Sequence, residues 1–349
     1  LVGSEMCIRD RFRYVALHHD RKHISRSLER QRRIAHRSVP FAYDYGLAFA
    51  EDEADYDQEI NEIAHTLISE GERFYSPLLP AEPLDEKAGT VRFRSDITTS
   101  DENNNTFECI VSDSGSRDHA LLVFHHWYAR QRYTAFAKFF ASRGITVVEA
   151  TLPYHFGRGT DDVSEEQFFS ASLGRTVRSM RQAVLDGRKI VRWLDGLGYK
   201  KISAVGMCLG GTVAGLVAAQ EDKLGKAALM VTPADPADLV WTAETMKTLR
   251  SRIEPAVSHE ALKTAWSLIS LEKHLWSLTR PDLHLMFVIG KNDTIARPEG
   301  LDRLIDDLTR CNRQPEVLRL SCGHSSVGVF PYNIIAAKKV LNFLTDAAR

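Results

Sequence analysis

Apolar runs alternate with helical patterns through most of the chain after residue 90. In chain order they are strand-like at 120–124, helical at 133–142, strand-like at 145–150, helical at 177–197, and strand-like at 202–205 and 227–231. Two more strand-like runs, 91–98 and 106–111, come first, and the polar turn between them predicts an antiparallel hairpin. Strands that alternate with helices need right-handed crossovers. The pattern therefore predicts an α/β fold with a mostly parallel, doubly wound sheet.

The alternation stops between residues 233 and 281. Leucine and tryptophan recur there at helical spacing and no strand pattern intervenes, which predicts a helical insertion. Beyond it come strand-like runs at 283–289 and 317–320 and a helical pattern at 332–344. An insertion at this point forms a lid that excludes water and binds an apolar part of a ligand. The alternative is that its apolar residues pack only against the rest of the domain.

Residues 13–90 read as a polar, helical N-terminal extension. Its segment 21–37 is rich in Arg and Lys, whereas 51–62 is acidic, so the two are expected to dock on each other or on the main domain. The basic segment itself is interpreted as a solvated helix face, because the acidic segment lies so close; the alternative is a membrane-surface or nucleic-acid patch. Pro and Gly at 79–89 indicate a linker. Residues 1–12 resemble a translated sequencing-adapter fragment and are set aside as a probable artefact.

Composition limits the function classes. The 349 residues, 44% of them hydrophobic, suffice for one large domain at 91–349 plus extra elements, and the net charge of −1 argues against nucleic-acid binding. No apolar stretch approaches the roughly 18 residues of a membrane span, so stable membrane insertion is not expected. The N-terminus lacks an apolar export core, and the five cysteines lack disulfide spacing. We expect a cytoplasmic protein without a cofactor; the oligomeric state is not predicted.

The segment 206–211, Gly-Met-Cys-Leu-Gly-Gly, carries the main chemical signal. It joins a predicted strand to a predicted helix and matches the nucleophile elbow G-x-S-x-G, with Cys208 in place of Ser. Gly206 and Gly210 let strand and helix approach each other, and the helix N-terminus favours a thiolate and an adjacent oxyanion. The motif predicts acyl transfer through a covalent thioester. The alternative is a buried cysteine in a glycine-rich turn.

Partners of such a nucleophile are expected in the order acid, then histidine, each just after a strand. Asp293 follows the strand 283–289, and His324 follows the strand 317–320. We therefore predict Asp293 as the acid and His324 as the general base. Asp293 has an alternative role as a cap of the helix that begins near Pro298, and His324 has one as a turn residue without catalytic function.

Residues from about 91 to 349 resemble the α/β-hydrolase superfamily. The elbow is similar to that of polyhydroxyalkanoate synthases, and dienelactone hydrolases are another branch with a cysteine nucleophile. The wider pattern, with Leu-Pro-Tyr-His at 152–155 and a helical insertion before the acid, resembles poorly characterised α/β-hydrolase domain proteins, most of which carry Ser at the elbow. The resemblance implies the fold and the triad roles of Cys208, Asp293 and His324.

The resemblance also implies an oxyanion hole. Its donors would be the backbone N–H groups of Leu209, after the nucleophile, and of Trp127, in the loop that follows the strand 120–124. Relatives often read His-Gly-x in that loop, so His126 stands where a glycine is usual. The adjacent His125 and His126 could be considered metal ligands. However, adjacent residues of an extended chain point to opposite faces, and no cluster of Cys, His or carboxylate residues completes a site. No metal is expected.

Two residues are candidate substrate contacts. His126 lies beside the predicted oxyanion hole, and Arg158 follows the strand 145–150 on a loop that should face the same crevice. An arginine there can bind a substrate carboxylate in a bidentate manner. The alternative is that Arg158 holds its loop by pairing with Asp161 or Asp162.

These observations predict a hydrolase that acts on an ester or thioester of a small-molecule acyl substrate. Two alternatives stay open at this point. An acyltransferase or polyester synthase would use the same triad and pass the acyl group to an alcohol or thiol. A non-catalytic binding protein would keep the fold without a reactive thiol.

Overall fold

A nine-stranded sheet forms the centre of the protein. The computed structural model describes residues 8–34, 39–49, 74–159 and 164–346. The strands are β1 (Asp85–Lys87), β2 (Thr90–Arg94), β3 (Thr106–Ser112), β4 (His119–Phe124), β5 (Thr146–Ala150), β6 (Lys201–Met207), β7 (Leu224–Met230), β8 (His284–Gly290) and β9 (Glu316–Leu320). They stand in the order β1-β2-β3-β5-β4-β6-β7-β8-β9.

The sheet changes direction at β5. The neighbouring pairs β1–β2, β2–β3 and β3–β5 are antiparallel. From β5 onward, through β4, β6, β7 and β8 to β9, each neighbouring pair is parallel. The predicted hairpin is the β2–β3 pair, with Val91 opposite Cys109. The parallel part explains why the strands read as continuous apolar runs, because helices cover both of its faces. The predicted α/β class with a mostly parallel sheet is confirmed.

Eleven α-helices are assigned within the described residues. They are α1 (Ile8–Ile34), α2 (Gly46–Phe49), α3 (Thr134–Ala141), α4 (Leu173–Gly196), α5 (Leu209–Gln220), α6 (Pro236–Thr242), α7 (Lys247–Ile253), α8 (His259–Ala265), α9 (Leu275–Leu278), α10 (Pro298–Arg310) and α11 (Tyr332–Thr345). Helix α4 begins at a capped end, since the Ser172 hydroxyl accepts the N–H of Arg175.

Two hydrophobic layers lie on the two faces of the sheet. Leu122 and Phe124 of β4 point into the layer that holds α4 and α5, whereas Leu121 and Val123 point into the layer that holds α3 and α11. This is the period-two alternation of a strand buried on both sides. All of β4 is buried, so the carboxyl ends of the central strands are held rigidly.

The stretch between β7 and β8 is a helical insertion, as the pattern predicted. It contains α6 to α9 together with short 3-10 helices, the first of which is Glu244–Met246. Trp266, the largest fully buried side chain, anchors it, because its indole N–H donates to the Leu173 carbonyl at the start of α4. The insertion therefore packs against the domain and, at Leu239 and Met246, also reaches the cavity described below.

The N-terminal region is more closely joined to the domain than the sequence suggested. Strand β1 lies within the segment 79–89 that was interpreted as a linker, and it extends the sheet by pairing with β2. Phe74 and Tyr75 are buried in the main core. The acidic segment 51–62 lies outside the described residues. Among the helices that the structure describes, none combines the length and the apolar content needed to cross a membrane.

Candidate active site

Cys208 stands at the apex of a sharp turn between β6 and α5. Its backbone has φ 54° and ψ −122°, a conformation that non-glycine residues rarely adopt. The Cys208 N–H donates to the Met230 carbonyl at 2.9 Å, and the Cys208 carbonyl accepts the N–H of Gly211 at 2.8 Å. These bonds hold the strained residue, and strain of this kind concentrates at functional sites.

The glycines around Cys208 are required by close packing. A Cβ on Gly206 would lie 1.9 Å from the Gly210 carbonyl oxygen, and one on Gly210 would lie 2.2 Å from the Phe124 carbonyl oxygen. A Cβ on Gly211 would meet the Thr232 hydroxyl at 1.8 Å. The segment thus has the geometry of a nucleophile elbow, with β6, α5 and the end of β4 in contact.

Asp293 and His324 meet at this elbow. The His324 Nδ1 lies 2.8 Å from Asp293 Oδ2, and Cys208 lies near enough to the imidazole to influence its pKa. Asp293 Oδ1 accepts the N–H groups of Ile295 and Ala296 at 2.8 and 2.9 Å. The carboxylate therefore caps a turn with one oxygen and orients the imidazole with the other. Helix α10 begins only at Pro298, so Asp293 caps the turn before this helix and not the helix itself. The cap and the contact with His324 use different oxygens and are both present.

Charge and burial act in opposite directions on His324. Burial disfavours the imidazolium, but the negative charges of Asp293 and Cys208 and their hydrogen bonds outweigh it and raise the pKa of His324 well above its usual value. The site thus stabilises the protonated imidazole beside Cys208.

Buried histidines fix the loop after β4. The Leu152 N–H donates to His125 Nε2 at 3.1 Å, and the Tyr128 N–H donates to His155 Nε2 at 3.2 Å. The other ring nitrogens face backbone carbonyls, so each ring is neutral with Nδ1 protonated. Burial lowers the pKa of His155 to about 3. These two histidines are structural supports of the loop.

His126 points the other way, into the cavity. Its backbone N–H donates to the Tyr133 hydroxyl at 3.2 Å, and its Nδ1 lies 2.5 Å from the same oxygen. Burial, with a smaller contribution from the charge of His324, lowers the pKa of His126 to about 4. Tyr133 was not among the predicted site residues, and it ties the loop in place. A substrate contact by His126 stays a prediction.

A cavity of about 1070 Å³ opens at the elbow. Its walls include Cys208 and His324, the two residues predicted to form the oxyanion hole, Leu209 and Trp127, and two residues of α1, His23 and Ser27. Leu209 is the first residue of α5, so its N–H is in the turn that lacks intrahelical partners. The sequence reasoning missed His23 and Ser27 because it placed them in a separate extension.

Arg158 does not line this cavity, so its predicted role as a substrate clamp is corrected. The guanidinium is 2% exposed and forms an ion pair with Asp186 at 2.7 Å. It also donates to the carbonyls of Thr151 and Asn104. Asp161 and Asp162, the partners considered from the sequence, lie outside the described residues. Arg158 therefore holds its loop against α4.

Across the parts of the chain that the structure describes, no cluster of three or more His, Cys, Asp or Glu residues is arranged to hold a metal ion.

Comparisons with known proteins agree with the fold described above. Residues 109–249 match the model of the dienelactone hydrolase family. A comparison with curated protein sequences gives no significant match.

Three solved structures illustrate the similarity of fold. An acetyl xylan esterase from Paenibacillus sp. R4 is 14% identical, with coverage of 80% of this chain and 94% of that one and a TM-score of 0.56. A Pyrococcus furiosus esterase is 18% identical, with coverage of 73% and 90% and a TM-score of 0.52. A puromycin-hydrolyzing peptidase of Mycobacterium tuberculosis is 16% identical, with coverage of 70% of this chain but only 38% of the peptidase and a TM-score of 0.54. These similarities show that the chain has the fold of these α/β hydrolases, as the sequence resemblance implied.

Proposed function

We propose that the protein hydrolyses a carboxylic ester or thioester by covalent catalysis on Cys208. The observation that supports the proposal most is that His324, held by Asp293, and Cys208 line the same cavity, which is large enough for a small-molecule acyl substrate. Cys208 differs from an ordinary buried cysteine because it combines a strained backbone, a helix N-terminus and a neighbouring imidazole whose pKa is raised.

The first half-reaction forms an acyl-enzyme. His324 accepts the thiol proton, and the Cys208 sulfur attacks the carbonyl carbon of the substrate. The electron pair of the C=O bond moves to oxygen, where the N–H groups of Leu209 and Trp127 hold the oxyanion. When the tetrahedral intermediate collapses, the bond to the leaving alcohol or thiol breaks, and His324 returns its proton to that group.

The second half-reaction releases the acid. His324 takes a proton from a water molecule, whose oxygen attacks the thioester carbonyl. Collapse of the second intermediate breaks the C–S bond, and His324 gives its proton back to the sulfur. Asp293 keeps the Nδ1–H of the ring directed away from the sulfur throughout, because its Oδ2 accepts that hydrogen bond.

The cavity walls favour an apolar acyl or aromatic portion. Trp127 and Phe169 pack edge to face with ring centroids 5.3 Å apart, and Leu239 and Met246 of the insertion lie on the same cavity. Apolar walls with a few convergent polar groups are typical of small-molecule sites.

Mass spectrometry after reaction with a series of activated acyl esters tests the proposal. We expect one acyl adduct on Cys208 in the wild-type protein and none in Cys208→Ala. Cys311→Ala is the matched control, because Cys311 is an exposed free thiol. An adduct that survives Cys208→Ala, or no adduct with any ester, would refute the role of Cys208. Product analysis with an added alcohol or thiol separates hydrolysis from acyl transfer.

A further inference from the structure

One face of α1 lies against the candidate active site. The face consists of Asp20, His23, Ser27 and Gln31, which are spaced by three or four residues and so share one side of a helix. His23 and Ser27 line the cavity, and the Gln31 amide donates to the Thr245 carbonyl of the insertion at 2.7 Å. This polar face spans from the loop 321–325, which carries His324 and is called the histidine loop below, to the insertion.

Asp20 makes the contact at the histidine loop. Its Oδ2 accepts the His324 N–H and its Oδ1 accepts the Ser325 N–H, both at 2.8 Å. The side chain is 1% exposed. These two N–H groups open the 3-10 helix Ser325–Gly328, which has no side-chain cap of its own at His324. Asp20 therefore acts as a helix cap supplied by a segment about 300 residues away in the sequence.

Gly323 provides the space for this contact. A Cβ at position 323 would lie 2.2 Å from Asp20 Oδ2 and 2.6 Å from its carboxyl carbon. The Gly323 N–H in turn donates to the Ser326 hydroxyl at 2.8 Å. The loop thus approaches α1 so closely that a side chain at position 323 would strike Asp20. The contact therefore needs both Asp20 and a glycine at 323.

Asp20 also belongs to the charge environment of His324. Within the described part of the chain, the titratable groups that interact with this imidazole are Asp293, Cys208, Asp20, His23 and His126. Burial raises the pKa of Asp20, and the N–H groups of Ser325 and His324 counteract it. An ionised Asp20 favours the imidazolium, whereas a protonated His23 would disfavour it; burial and the charge of His324 lower the pKa of His23.

We propose that Asp20 is a positioning residue for His324, and that α1 is an integral wall of the active site, not a separate extension. The proposal rests on the proposed function, because it assigns Asp20 a role through the catalytic histidine. The two N–H bonds fix the backbone from which the imidazole projects. A shift of about 1 Å in a catalytic group can cost about 10²-fold in rate.

Steady-state kinetics of Asp20→Asn and Asp20→Ala test the role. Asn keeps the shape but can accept only one of the two N–H bonds, and Ala accepts neither. We expect kcat/KM to fall about tenfold in Asp20→Asn and about 10²-fold in Asp20→Ala. The decline of kcat/KM at high pH, where the imidazolium is lost, should move to lower pH in both variants, which a purely structural role would not produce. Arg21→Gln, exposed on the same helix, should behave as wild type.

A double-mutant cycle with Gly323→Ala tests the contact itself. In the wild-type background the added methyl group strikes Asp20, so kcat/KM should fall about 10²-fold or more. In the Asp20→Ala background the space is vacated, and the further loss on Gly323→Ala should shrink by at least about tenfold. Equal losses in both backgrounds would overturn the proposal.

Unchanged kinetics and an unmoved pH limb in Asp20→Asn would also overturn it. Acylation of Cys208 in the wild-type protein is measured in parallel by mass spectrometry. A Cys208 adduct that forms equally fast in wild type and both Asp20 variants counts against Asp20 alone, whereas no adduct in the wild type counts against the proposed function. If Asp20→Ala fails to fold, the Asp20→Asn pH profile decides.

Discussion

A Cβ atom on Gly206 would overlap the carbonyl oxygen of Gly210 at 1.9 Å. The two glycines lie on opposite arms of the turn that presents Cys208, so their contact sets the angle between β6 and α5. Because that angle also fixes the strained backbone of Cys208 (φ 54°), the glycines determine where the sulfur lies. The motif is thus a packing requirement as much as a chemical signature.

Gly206→Ala should remove activity and destabilise the protein. The added methyl group meets backbone atoms, which cannot rotate away. Overpacked cores typically lose about 1–3 kcal/mol, and we expect the free energy of unfolding to fall by at least that much. Denaturant unfolding and ester hydrolysis measure the two effects. Gly225→Ala is the control, since its nearest neighbour would be 3.9 Å away; an equal effect of both substitutions would contradict the argument.

Asp293→Asn should impair catalysis while the fold is retained. The amide can still accept from Ile295 and Ala296, but it no longer supplies the charge that raises the pKa of His324. We expect kcat/KM to fall by up to about 10⁴-fold, the loss that the equivalent change causes in a serine-protease triad. The pKa of His324, followed by NMR, should fall as well. Asp282→Asn, an exposed carboxylate paired with Arg280, is the control, and a loss below about tenfold would exclude Asp293 from the triad.

The contact between Asp293 and His324 could be predicted because its signals are local. Asp293 and His324 each follow a short apolar strand, and strands that end at one edge of a parallel sheet bring their following residues together. The strands around Cys208 were predictable for the same reason, since burial on both faces makes β4 and β6 continuous apolar runs.

The role of α1 could not be predicted in the same way. Periodicity analysis looks for an apolar stripe, whereas the face that α1 turns inward is polar and includes Asp20 and Gln31. Its partners, the His324 loop and Thr245, are more than 200 residues away in the sequence. Strand β1 was missed because three polar residues form it, and pairing with β2 overrides their low strand propensity.

Arg158→Met should affect stability more than substrate binding. It removes the ion-pair partner of the buried Asp186 and leaves it the Ser95 hydroxyl and the more distant charge of Lys189, so the free energy of unfolding should fall by up to about 3–5 kcal/mol. The ratio of KM values for an ester with a free carboxylate and its neutral analogue should stay unchanged. Arg319→Met breaks an exposed pair with Asp302 and should cost at most about 1 kcal/mol. A selective rise in KM for the anionic ester would restore Arg158 as a substrate contact.

His119 should make the protein sensitive to acid without affecting catalysis. It begins β4, at the end of the sheet opposite the site, and its Nε2 lies 2.9 Å from the Ser203 hydroxyl. Burial, reinforced by Lys201 and Lys226, lowers the pKa of His119 to about 4. The unfolded chain, in which a histidine has a pKa of about 6.5, therefore binds more protons between these values. This contribution to stability is complete above about pH 6.5 and is lost as the pH falls toward 4, by up to about 1.4 kcal/mol per unit.

His119→Gln should flatten that slope in urea unfolding measured from pH 7 to 4.5, with kcat unchanged at pH 8. His18→Gln, at an exposed position, should leave the slope as it is, and an unaltered slope in His119→Gln would show that folding does not lower the pKa of His119.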